Sequence, residues 1–305
     1  MLIFTLKRTL LAVLVALTVS MLTYALLHLT KDPAVAMAGE TASNEQIEAI
    51  RKQYGFDRPL AVQYLDWLGR ALQGDLGKSH YLHVPVSQII RTRIGTTLTL
   101  ALCGMVFGLL LAIPLGVFAA MQPNSRVDRL CLTLAVSAQA MPSFWFALGL
   151  IILLSVMIPL LPPSGTDSWK NFVMPTIVLG TRIMPAIMRL TRTGMLDVLA
   201  SDYIRTARAK GVRPRMVLFK HALRNAIIPV VSVAAVQLGF MLSGSVIIET
   251  VFALHGVGAL AYESIVQTDL PVMQAVVLLF SLFFVAATFV SDVINAWLDP
   301  RIRVT

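Results

Sequence analysis

Six runs of predominantly apolar residues dominate this chain, each long enough to cross a bilayer as a helix of about 20 residues. They are Thr9 to Leu29, Gly95 to Ala120, Leu130 to Ile158, Phe172 to Leu190, Ile227 to Ile248 and Val272 to Leu298. Of the 305 residues, 57% are hydrophobic and 13% charged, far from the balance of a soluble domain. The expectation is an all-α polytopic membrane protein with six transmembrane helices.

The runs divide the chain into a first transmembrane helix at 1–30, an extramembrane segment with amphipathic helices at 31–94, a core at 95–298, and a tail at 299–305. Lys7 and Arg8 before the first run, with Ala36-Met37-Ala38 beyond it, imitate a secretory signal. The run is nearer spanning length than a signal core and the small residues lie well past its end, so an uncleaved first span is preferred. Cys103 and Cys131 lie in or beside apolar runs, where a thiol acts as a small hydrophobe.

Charge sets an orientation. With both termini in the cytoplasm, the inner segments carry 14 basic and 4 acidic residues, and the outer segments 9 basic and 11 acidic. Excess Lys and Arg inside is the expected sense. The net charge of +9 is then mostly topology, and no aromatic platform or groove-reading motif points to nucleic acid.

Within the outer segment, Gly74 to Ser79 reads GDLGKS, which ends like a P-loop. Leu72 stands where the motif needs its first glycine. Ser43 with Gln46 predicts a capping box for a helix ending near Gly55, and a second helix from Pro59 through Leu72 stops at Gly74. A nucleotide loop needs a strand before it and the cytoplasm around it, so this is not an ATP site. His80 and His83 lack a third metal ligand in the sequence, and no metal site is expected.

The most informative stretch is the basic loop at 201–229, SDYIRTARAKGVRPRMVLFKHALRNAIIP. Ser201 can cap a helix with Asp202 in its first turn and Arg208 and Lys210 in its last, suiting the helix dipole. Gly211 ends it, Pro214 opens a second helix, and Pro229 marks the membrane boundary. A helix of about nine residues is too short to persist alone in water. Small Thr206, Ala207 and Ala209 suit a knob that packs into another protein.

DYIRTARAKG, HALRNAIIP and the terminal DPRIR together resemble the dipeptide, oligopeptide, glutathione and nickel permeases of ABC importers. GFDRPLAVQYLDWL, GDLGKS and ETVFALHGVGALAYESI extend the resemblance through most of the chain. Arg205-Thr206-Ala207 stand where the general loop pattern has Glu-Ala-Ala, Gly211 falls at its glycine, and Arg224 replaces its proline.

The resemblance implies the type I importer permease (MetI-like) fold in a bacterial inner membrane. It further implies a pore subunit that does not hydrolyse ATP, so that ATP and Mg reside in a separate ATPase. The coupling residues would be Asp202, Tyr203, Ile204, Arg205, Thr206, Ala207, Arg208, Ala209, Lys210 and Gly211. Implied partners are a second, homologous permease in a heterodimer, two ATPase subunits, an external binding protein and the surrounding lipid.

Arg182 lies mid-span, where a charge is costly. It can meet a substrate carboxylate or pair with Asp292, and the pair is preferred. Gln139, Pro142 and Ser143 in the third span, and Gln237, Ser243 and Ser245 in the fifth, are polar or broken points where a pathway can run, although such residues also pack membrane helices. Glu249 is expected at the wet outer end of the fifth span, within reach of a binding protein or a substrate amine. The rival functions are an ion-coupled carrier and an intramembrane serine hydrolase. The first lacks clear inverted repeats and the second lacks a base at membrane depth.

Overall fold

The computed structural model describes residues 2–30, 32–39 and 42–298. The tail expected at 299–305, including Arg301 and Arg303, lies outside the described residues. Helix α1 (Leu2–Thr30) is followed by α2 (Pro33–Ala38), α3 (Asn44–Tyr54) and α4 (Leu60–Leu72). Ser43 and Gln46 form the reciprocal capping box, and Gly55 closes α3 in the left-handed region at φ 71°. Pro59 precedes the first turn of α4, and Gly74, at φ 84°, turns the chain away after it.

Helix α5 (Val86–Met121) is the axis of the molecule. It begins well before the expected Gly95 and, at 36 residues, is about 54 Å long, nearly twice the hydrocarbon thickness. A strip of Gly104, Gly108, Ala112, Gly116 and Ala120 recurs every fourth residue along it. The strip admits α8 (Val173–Leu199) at contact distance. A Cβ on Gly108 would lie 2.5 Å from Ile183, and one on Gly180 would lie 2.7 Å from the Gly104 carbonyl. Side chains there would force the helices apart, so close backbone approach holds the core pair.

Two expected spans are not single straight helices. Residues 130–158 fold as α6 (Arg126–Ala140) and α7 (Ser143–Ile151, continued by a π turn to Met157), bent by 96°. Met141 precedes Pro142 and is extended at φ −78°, ψ 128°, because the proline ring disfavours helix in the residue before it. The fifth span is likewise broken. Its break lies at Ser245, between α11 (Ile228–Gly244) and α12 (Val246–Val251), and α10 (Pro214–Ala226) leads into α11 at 51°.

Helices α13 (Val257–Val266) and α14 (Leu270–Leu298) complete the order after the short α9 (Asp202–Ala209). Among the described residues, four helices are long and apolar enough to cross a membrane, and the two bent pairs bring the number to six if each crosses once. Helix α8 runs to Leu199, beyond the expected end of the fourth run at Leu190, so Thr191 and Arg192 are helical.

The two ends of α5 have separate cores. Val86, Ile89 and Ile90 pack with Val257, Leu260, Val272 and Val276 at one end. Val117 and Ala120 pack with Met195, Ile204 and Val217 at the other. Helix α1 is peripheral. It lies along α14, and Arg8 meets Asp292 at 2.7 Å.

Candidate functional site

At the far end of α5 the chain presents α9. Its single fully buried residue is Ile204, inserted between Val117, Met195, Val217 and Ala226. Asn225 Nδ2 donates to the Tyr203 hydroxyl at 2.8 Å, tying α9 to α10. The opposite face is bare: the side chains of Asp202 and Arg205 are 91% and 79% exposed, and their 3.3 Å contact is a solvated pair.

Gly211 ends the helix at φ 73°, and a Cβ there would have no neighbour within 4 Å, so the glycine is needed for the backbone and not for space. Ser201 does not cap α9 with its side chain. Its hydroxyl donates back to the Val198 carbonyl at 2.5 Å, closing the end of α8 instead. Part of the order of α9 thus comes from its own chain through Ile204.

Beneath this end lies an ion pair whose two members count, in the sequence, only toward topology. Asp128 is 2% exposed and accepts two hydrogen bonds from the Arg192 guanidinium, both at 2.7 Å, and a third from the Asn124 N–H. It locks the start of α6 to the end of α8. The i, i+64 separation of the partners leaves no local signal.

At the near end, Glu249 is fully buried, not wet. Thr97 and Ser245 each donate a hydroxyl to its Oε1 at 2.8 Å, and the Ala259 N–H donates to Oε2 at 2.9 Å. Thr97 in turn accepts from the Val257 N–H at 2.8 Å. The carboxylate joins α5, α12 and α13, and it offers no atom to a solute or a docking protein. A Cβ on Gly256 would lie 2.7 Å from Thr97 Oγ1, so the loop can close over the carboxylate only with glycine there.

Asp269 plays the same part for the GDLGKS turn. It accepts the Ser79 hydroxyl and the backbone N–H groups of His80 and Tyr81. Burial pulls the His80 ring below its ordinary pKa, an effect that Asp269 opposes. Among the described residues, no three His, Cys, Asp or Glu side chains converge as a metal site would require.

The expected pathway residues are scattered. Gln139 is exposed and accepts from Arg189 at 3.3 Å, Pro142 makes the bend between α6 and α7, and Ser143 is buried beside it. Gln237 is half-buried, and Ser243 donates to the Gly239 and Phe240 carbonyls. Arg182 does not pair with Asp292, which is taken by Arg8. It is exposed on α8 and makes no ion pair among the described residues. Neither Ser243 nor Ser245 bonds a histidine, and the hydrolase reading gains no support.

Comparison with known proteins assigns the chain. Residues 112–304 match the family described as binding-protein-dependent transport system inner membrane component, and residues 1–101 match its N-terminal companion. The glutathione transport system permease protein GsiC of Escherichia coli (strain K12) is 41% identical over 304 residues, covering 99% of both chains. The protein of that name from Salmonella typhimurium (strain LT2) is equally similar.

An inward-facing structure of the MetNI methionine ABC transporter superposes with a TM-score of 0.60 at 19% identity, covering 70% of this chain and 97% of that one. An amino acid ABC transporter solved with histidines gives 0.53 at 14% identity, covering 69% and 94%. The fold is therefore the MetI-like fold of ABC importer permeases, and neither rival function is supported. Such permeases work with an ATPase and a substrate-binding protein. The chain belongs to the binding-protein-dependent transport system inner membrane component family and is a multi-pass permease subunit of an ABC importer in the bacterial inner membrane.

Proposed function

We propose that this chain forms one half of the pore of a peptide-type importer, opposite a second, related permease, and contributes no catalytic group of its own. Two ATPase subunits bind ATP and Mg beneath it, and an external binding protein delivers the solute. Both termini and α9 face the cytoplasm, which the distribution of basic residues supports. A small peptide such as glutathione is the favoured cargo, supported by the name of the 41% identical relatives.

The observation that carries this reading is the split character of α9. One residue, Ile204, anchors the helix to its own core, while Arg205, Arg208 and Lys210 stand exposed. A helix held on one side and bare on the other suits seating in a groove of the ATPase, so that ATP-driven closure moves the ends of α8 and α5 with it. The Asp128 to Arg192 pair stiffens that end, allowing displacement of α9 to tilt α6 and α8 together. Arg182, exposed on α8 without an ion-pair partner among the described residues, is placed in the pathway, where it meets the carboxylate of the solute.

The test is Gly211→Val in the reconstituted importer. Forcing a β-branched residue into the left-handed region deforms the end of α9 without clashing elsewhere. ATP hydrolysis that persists while glutathione uptake falls at least tenfold is the expected result. Uptake at the unmodified rate would refute the role of α9, and failure of glutathione alone, with other peptides still transported, would refute the cargo only.

A further inference from the structure

A cavity of about 660 Å³ lies at the near end of the molecule, beneath the extramembrane helices and above the ends of α1 and α14. That volume is within the range of ligand sites. Tyr24 and His28 from the last turns of α1 and Trp67 from α4 form one wall, with rings stacked or tilted at centroid distances of 3.9 to 6.0 Å. Arg70 and Lys78 supply two cations against the single carboxylate of Asp75, and neither cation forms an ion pair among the described residues.

The second observation is independent of charge. Among the described residues, two buried side-chain polar atoms have no hydrogen-bond partner, His80 Nδ1 and Gln274 Nε2, and both residues line this one cavity. Gln274 is 4% exposed. A buried amide N–H without an acceptor costs about 1 to 3 kcal/mol, so its presence here points to an acceptor that the chain itself does not supply.

We propose that the cavity binds the phosphate group of an anionic phospholipid, with Arg70 and Lys78 compensating the charge and the Gln274 amide donating to a phosphate oxygen. The level of the cavity in the fold selects this ligand. It sits where α1 ends and α14 begins, and Tyr and Trp concentrate at that height in membrane proteins. Elsewhere on α1, Leu22, Leu26 and Leu29 are 53%, 64% and 78% exposed, so the helix presents an apolar face fit for lipid up to its last turn. The aromatic wall accommodates the glycerol and first methylenes of the chains. The transported solute is a poorer fit, because the cavity lies beside α1 and α14 and away from the α5 and α8 core.

Native mass spectrometry of the complete importer, released from vesicles of phosphatidylglycerol and phosphatidylcholine, tests the proposal. The expected result is one phosphatidylglycerol retained per chain in preference to phosphatidylcholine. Arg70→Ala and Lys78→Ala should each lower retention about fivefold, the ratio that ~1 kcal/mol per surface cation implies. Gln274→Leu should weaken it comparably while the thermal unfolding midpoint holds or rises, because the orphaned amide is gone. Equal retention of both lipids, or retention unchanged in all three variants, would overturn the proposal. Full displacement of the lipid by excess inorganic phosphate would show that a free anion is the occupant, and would overturn the lipid assignment.

Discussion

The two ends of α5 solve opposite problems. At the near end the two buried carboxylates are partnered within the chain: Glu249 satisfies Thr97, Ser245 and the Ala259 N–H, and Asp269 satisfies the turn at 79–81. At the far end α9 keeps one apolar anchor and leaves its charges in solvent. A closed hydrogen-bond hub makes a rigid platform, whereas a helix held by one buried side chain and a tyrosine hydrogen bond can be gripped and moved. The buried carboxylates do structural work, and on the reading proposed above the mechanical work falls to the exposed helix, although the residue types suggest the reverse.

The sharpest way to break that contrast is Glu249→Ala, which strands the buried Thr97 hydroxyl and Ala259 N–H, while Ser245 can still donate to the Leu242 carbonyl. Destabilisation of roughly 4 kcal/mol is expected, read as a lower thermal unfolding midpoint with loss of folded protein, and a shift under about 1 kcal/mol would show that the hub is dispensable. Next is Ile204→Ala, with a cost of about 3 kcal/mol for an emptied Ile site. Here uptake should fall further than the unfolding midpoint suggests, because the anchor transmits motion as well as packing.

Gly256→Ala should cost about 2 kcal/mol by crowding Thr97 and Glu249. Partial rescue by Thr97→Ser, which removes the methyl group and frees the hydroxyl to shift, would sharpen the assignment. The smallest effect belongs to Asp202→Ala, below about 0.5 kcal/mol in stability. A large loss of stability there would show that the bare face of α9 is already engaged within its own chain.

Local chemistry is readable in the sequence where it acts over a few residues. The box of Ser43 and Gln46, the glycines at 55, 74 and 211, and the proline starts at 214 and 229 all act within one helical turn. Long-range pairing is not. Nothing near Glu249 announces Thr97, 152 positions earlier, and an acid at the end of an apolar run looks wet until the glycines at 256 and 258 fold a loop over it. Arg8 takes Asp292 from Arg182 for the same reason. The bend at Pro142 is visible as a broken point but not as a 96° corner, since a proline limits its predecessor's backbone without setting the angle between two helices. The four-residue strip from Gly104 to Ala120 is legible in principle and is the signal that pairs α5 with α8.

The central claim is that the exposed face of α9 seats in the ATPase. A photo-crosslinking residue at position 205, whose native side chain is 79% exposed, carried in the assembled importer during ATP turnover, tests it most directly. The account predicts a covalent product with the ATPase whose yield changes between the nucleotide-free and ATP-bound states. Crosslinks formed only to lipid or to the external binding protein would contradict it.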